Sequence, residues 1–189
     1  MSSIRENIAE AKKRHYLFWG IALFVSALLG SAAGFRLSQG PCAITAETVT
    51  VRGGSLEPKI ENDDKITLLY GYYRCHTPRR NDIVAYRYAP SKDPLLKIVR
   101  GIPGDTLAIV EAERKLSNIT INGIILETSE GKPYLLTPNQ KDLLSLYIKD
   151  HDGIIPQDSY LLLSNLAEGG IDSRTFGLAG LSDMLAKAK

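Results

Sequence analysis

Residues 16–35, YLFWGIALFVSALLGSAAGF, run for twenty positions without a charged side chain. A helix of that length rises about 30 Å, the thickness of a bilayer's hydrocarbon core. Beyond it the apolar positions become short and alternating. Residues 48–52 alternate β-branched side chains and read as a strand, ended by Gly53–Gly54. Residues 65–70, 81–88 and 95–100 read as further strands, the last stopped by Gly101-Ile-Pro-Gly104. Residues 106–110 predict a strand, and 119–126 a hairpin turning on Asn122–Gly123, a type I′ pair. Residues 139–150 place apolar side chains at Leu143, Leu144, Tyr147 and Ile148, the spacing of a helix. Residues 159–164 read as a late strand and 180–189 as a short terminal helix. The sum is a mainly β fold with a small inserted helix, preceded by one apolar span.

Charge sharpens this picture. The chain of 189 residues has 23 Lys+Arg against 21 Asp+Glu, a net +2. That excess lies wholly in residues 1–15, where Arg5, Lys12, Lys13 and Arg14 face Glu6 and Glu10. A basic cluster directly before an apolar span directs the N-terminus to the cytoplasm. Tyr16, Trp19 and Phe35 fall near the span's ends, where aromatic anchors collect. The competing reading is a cleaved leader with Ser31, Ala32 and Ala33 as its small-residue site. The long N-terminal region and long apolar run favour a retained anchor. The expected organisation is a cytoplasmic N-terminus (1–15), a transmembrane anchor (16–35), a linker (36–47) and an extracytoplasmic domain (48–189). That is a single-pass protein of the cytoplasmic membrane, in contact with lipid.

The neutral main domain lacks the basic footprint of a nucleic-acid binder, and no DNA- or RNA-binding motif occurs. His15, His76 and His151 are far apart and no metal-ligand spacing is present, so neither metal nor cofactor is expected. Cys42 and Cys75 both follow the apolar span and share one compartment. They are either a disulfide, worth about 3–4 kcal/mol by loop entropy, or two unpaired thiols. Asn118-Ile-Thr120 is an acceptor-type sequon read as chance.

Three local patterns hold candidate chemistry. In Gly53-Gly-Ser-Leu-Glu-Pro58 the glycines permit a sharp turn that presents the Ser55 hydroxyl and its N–H to a carbonyl. The same tripeptide is also ordinary loop filler. Lys97 stands among Leu95, Leu96, Ile98 and Val99. If buried, it loses affinity for its proton and becomes a usable general base; at a solvated edge it is only a charge. In Ile171-Asp-Ser-Arg-Thr-Phe-Gly177, Asp172 and Arg174 can pair and fix a turn.

In this order the patterns resemble the type I signal peptidases, membrane-anchored Ser/Lys-dyad serine peptidases. Their Ser-Met-x-Pro-Thr-Leu box reads here Ser55-Leu-Glu-Pro-Lys-Ile60, and Gly-Asp-Ile-Val reads Asn81-Asp-Ile-Val84. The lysine box reads Lys97-Ile-Val-Arg-Gly-Ile-Pro-Gly-Asp105, and the last box Asp172-Ser-Arg-Thr-Phe-Gly177. The resemblance spans about residues 48–178 plus the anchor.

It implies a signal-peptidase-like β-sheet catalytic domain with a small α/β insertion, here within 106–160. Ser55 is the implied nucleophile and oxyanion N–H donor, and Lys97 the base. Asp172, Ser173 and Arg174 are the implied supporting residues. Val51, Leu56, Ile60 and Leu96 match positions lining the pockets for small substrate residues. The implied partners are signal-peptide-bearing preproteins. Two departures stand out: Gly53 replaces a common hydroxyl residue, and Gly170 replaces a serine that orients the lysine, which leaves that task to packing, Ser173 or another group. Related readings are a maturation peptidase for conjugative pilin precursors and a non-enzymatic anchored β-domain.

Overall fold

The structure is a computed structural model and describes residues 42–189. The expected cytoplasmic segment, the anchor at 16–35 and linker residues 36–41 lie outside the described residues. Among the described residues no helix is long and apolar enough to cross a membrane.

Two antiparallel sheets make up the domain. The first has seven strands: β1 (Thr45–Thr50), β2 (Lys65–Tyr70), β3 (Ile83–Tyr86), β4 (Leu95–Gly101), β9 (Ser159–Leu163), β10 (Ala179–Gly180) and β11 (Met184–Ala188). Their order is β1-β2-β11-β3-β4-β9-β10, which leaves β1 at an edge. The second contains β5 (Leu107–Glu111), β6 (Ser117–Ile121) and β7 (Ile124–Ile125), with β8 (Leu135–Leu136) also paired to β6. Helix α1 (Pro138–Asp150) opens on a capping box, Thr137 with Gln140. This satisfies two of its free N–H groups. The β6–β7 turn has φ of 53° at Asn122 and 78° at Gly123, as its Asn-Gly sequence demands.

β9 shows why the two sheets join. Leu161 and Leu163 enter a core with Ile119, Ile121, Leu136 and Leu144. Tyr160 and Leu162 face Val84, Val99 and Met184 in a second core. A strand buried on both faces reads as a continuous apolar run, which is what SYLLL is. The polar residues that follow β9 are thereby set at the junction of the two cores.

Two expectations change, and the open question of the cysteines closes. The first strand starts at Thr45, inside the expected linker. Residues 180–189 form no terminal helix: after a single 3-10 turn, β11 pairs with β2 on one side and β3 on the other. Two open sheet neighbours outweigh the helical preference of Met-Leu-Ala-Lys-Ala. Cys42 and Cys75 are bridged, their Cα atoms 6.0 Å apart. Asn118 and Thr120 are buried within β6, so the sequon is inaccessible in the folded domain.

Candidate active site

Ser55 sits on the turn between β1 and β2. The ladder continues past the strand ends, Val51 N–H donating to the Asp64 carbonyl and Asp63 N–H to the Val51 carbonyl, at 2.8 and 2.9 Å. This pins the base of the turn. Gly53 has φ of +91°, a conformation other residues rarely adopt, and its N–H donates to Asn62 Oδ1 at 2.8 Å. Leu56, 1% exposed, plugs the turn into the domain and leaves Ser55 half-buried at the surface. Among the described residues the Ser55 N–H meets no hydrogen-bond acceptor.

Lys97 comes from the middle of β4 and is 3% exposed. Its Nζ lies 3.3 Å from Ser55 Oγ and donates to the Leu96 carbonyl at 2.8 Å. Burial pushes its pKa from 10.5 down to about 8; the Asp172 carboxylate pulls it up and the Arg174 guanidinium pushes it down. Desolvation disfavours the charged form, so the amine exchanges its proton near neutrality.

Asp172, Ser173 and Arg174 are all fully buried. Asp172 caps the short helix α2 (Ser173–Phe176) and holds Arg174 through Nε at 3.0 Å and Nη2 at 2.8 Å. Arg174 also donates to the carbonyls of Ala167, Leu166, Gly169 and Leu135 and stacks over the Tyr134 ring at 5.4 Å. It is thus the hub of the 164–172 loop. Ser173 Oγ accepts from the Leu162 N–H, so it braces β9 rather than Lys97. At Gly170 a side chain would collide with Ser164: an added Cβ lies 2.8 Å from Ser164 Oγ, and φ is +86°. That hydroxyl is already bonded to Asp172 Oδ2 at 2.7 Å. The structure supplies Lys97 with the Leu96 carbonyl and its packing instead of a serine from position 170.

A groove of about 460 Å³ opens beside the pair. β1 contributes Glu47, Val49 and Thr50, with Val51 just beyond it; Asp93–Lys97 form the facing wall. Val51, Leu56 and Leu96 line it, whereas Ile60 is half-buried on the turn and is not among the lining residues. Asn165 and Ser129 gave no motif signal, yet Asn165 hydrogen-bonds the Ser55 turn and Ser129 hydrogen-bonds Asn165. The only cue was a polar Ser-Asn pair directly after the buried run of β9.

The sequence pattern of the family described as "Signal peptidase, peptidase S26" matches residues 23–189. The chain belongs to that family. It is therefore a serine endopeptidase of the signal peptidase class. Signal peptidase IB of Staphylococcus aureus is 26% identical over 149 residues, 73% of each chain. A probable signal peptidase I-2 of Synechocystis sp. is 23% identical over 158 residues, 80% of this chain and 65% of that protein. The crystal structure of a signal peptidase I from Enterococcus faecalis matches with a TM-score of 0.41 at 19% identity. That match covers 59% of this chain and 97% of the other.

Proposed function

We propose that the protein is a membrane-anchored type I signal peptidase that cleaves signal peptides from exported precursors, with Ser55 as nucleophile and Lys97 as general base. The observation that carries this reading is the buried Lys97 amine 3.3 Å from Ser55 Oγ. In it, neutral Lys97 takes the Ser55 proton as Oγ attacks the scissile carbonyl. The free Ser55 N–H stabilises the oxyanion. Lys97 then protonates the leaving amine and activates the water that hydrolyses the acyl-enzyme. Asp172 and Arg174 hold the loop behind the pair and act on the Lys97 pKa in opposite directions.

The substrate lies extended beside edge strand β1, adding a strand by main-chain hydrogen bonds. Val51, Leu56 and Leu96 shape the space for small residues before the cleaved bond. The 16–35 segment holds this site at the outer membrane surface, where precursors emerge, and raises their effective concentration.

The test is incubation of the full chain in detergent with a preprotein carrying Ala-x-Ala before its cleavage site. Ser55→Ala and Lys97→Ala each abolish cleavage; full activity in either overturns the dyad.

A further inference from the structure

Asn165 follows β9 by two residues and is 2% exposed. Its main-chain N–H donates to the Ser55 carbonyl at 2.7 Å. Its side-chain amide is used in three directions. Nδ2 donates to the Glu57 carbonyl at 2.8 Å and to Ser129 Oγ at 2.7 Å, while Oδ1 accepts from the Ser129 N–H at 2.9 Å. Two donors and an acceptor on one short side chain are what an Asn offers and an Asp or Leu does not. The preceding residue ties this joint to the Asp-Ser-Arg box: Ser164 donates its N–H and its hydroxyl to Asp172 Oδ2, at 3.0 and 2.7 Å.

We infer that Asn165 is a positioning residue for the nucleophile, holding the turn that carries Ser55 through the carbonyls of Ser55 and Glu57. This rests on Ser55 being the nucleophile. The two bonds fix the peptide planes directly after Ser55 and after Glu57, on a turn whose other side is the compliant Gly53–Gly54. With that side fixed, Ser55 Oγ stays within reach of Lys97 and its N–H keeps its aim. Hydrogen bonds run from Arg174 through Asp172 to Ser164, the chain itself carries the path to Asn165, and the Asn165 N–H closes it on the Ser55 carbonyl. The box distant in sequence from Ser55 is in this way coupled to the position of its backbone. Ser129 braces the outer side of the same amide from the 126–134 loop and touches neither carbonyl.

The experiment compares Asn165→Leu, which keeps the main-chain bond to the Ser55 carbonyl and removes the side-chain bonds to the Glu57 carbonyl and Ser129, with Ser129→Ala in the detergent assay. Ser129→Ala removes only the Oγ half of the outer brace, since the Ser129 N–H still donates to Asn165 Oδ1. Both variants lose buried hydrogen bonds, so thermal unfolding is measured alongside, and kinetics are read well below either midpoint. In Asn165→Leu, kcat falls by about one to two orders of magnitude, as for a displaced reacting group. KM stays within about twofold, and the pH at half-maximal rate, set by Lys97, does not move. Ser129→Ala keeps kcat within about twofold of the parent. Labelling of Ser55 by a serine-reactive electrophile slows in parallel with kcat in Asn165→Leu. An undiminished kcat in Asn165→Leu overturns the inference, as does an equal loss in Ser129→Ala or a shifted pH midpoint. Ser55→Ala is run beside them. If it still cleaves, the dyad itself is wrong; if it is dead while Asn165→Leu is fully active, only the role of Asn165 fails.

Discussion

Burial takes the Lys97 ammonium from its ordinary 10.5 down to about 8, against the pull of Asp172 and with the push of Arg174. In the proposed dyad only the neutral amine accepts the Ser55 proton, so the rate is expected to rise with pH through about 8 and level above it. At pH 7 roughly one tenth of the molecules hold neutral Lys97, and each unit lower costs about tenfold. A pH–rate profile of preprotein cleavage checks this, and a limb centred near 6 or near 10.5 contradicts it. The stability effect has the same cause. Between about 8 and 10.5 the unfolded chain binds the proton that the folded chain has released, so stability rises with pH across that window. Below about 8 the buried charge opposes folding in full. Lys97→Met, inactive but apolar, is expected to unfold no earlier than the parent at pH 6 in a thermal melt. In the sequence a lysine among four apolar neighbours left burial and a solvated edge both open, and the role of base came from the family resemblance. What the sequence did not contain was the Leu96 carbonyl as its second partner, because that contact depends on how the side chain folds back over its own strand.

The short helix α2 and the loop before it are held by one fully buried ion pair, Asp172 with Arg174. A buried pair is broken at high cost when one partner is removed, because the other charge stays buried and uncompensated. Arg174→Ala is therefore expected to lose about 3–5 kcal/mol in urea unfolding. Arg174→Lys recovers little of it, since an ammonium cannot reach Asp172 and the loop carbonyls together. A near-native urea midpoint for the lysine variant would show that charge alone suffices. The pairing of Asp172 with Arg174 could be read from the sequence, because both sit on one turn. The carbonyls of Leu135 and Ala167 and the clamp at Asn165 could not. They join segments brought together only by the two-faced burial of β9, and no local period encodes that. Helix α1 shows the opposite case, since its apolar spacing is local and predicted it over 139–150, within one residue of its observed start.

In the domain as a whole, β11 occupies the inside of the seven-stranded sheet, between β2 and β3. Met184 and Ala186 are buried there, and Lys187 donates to Asp82 at 2.7 Å. Deleting residues 184–189 opens the sheet between the strand beside β1 and the strand beside β4. These are the two sides that bring Ser55 and Lys97 together. The truncated protein is expected to lose cooperative unfolding and become protease-sensitive, measured by circular dichroism and limited proteolysis. Native-like melting would mean that β2 and β3 close on each other. The terminal segment was misread as helix for the reason that makes it important. Its residues favour a helix alone, and only a gap between two distant strands makes an extended form better.

That position of β11 also sets a timetable. A chain made from its N-terminus presents Ser55 early and Lys97 soon after, long before residues 184–188 exist to join the halves of the sheet. Until then the sheet is open between β2 and β3, and the Ser55 turn is tied to the Lys97 strand only through Asn165 and β9. The continuous seven-stranded sheet that sets the proposed dyad therefore closes only once residues 184–188 have joined it.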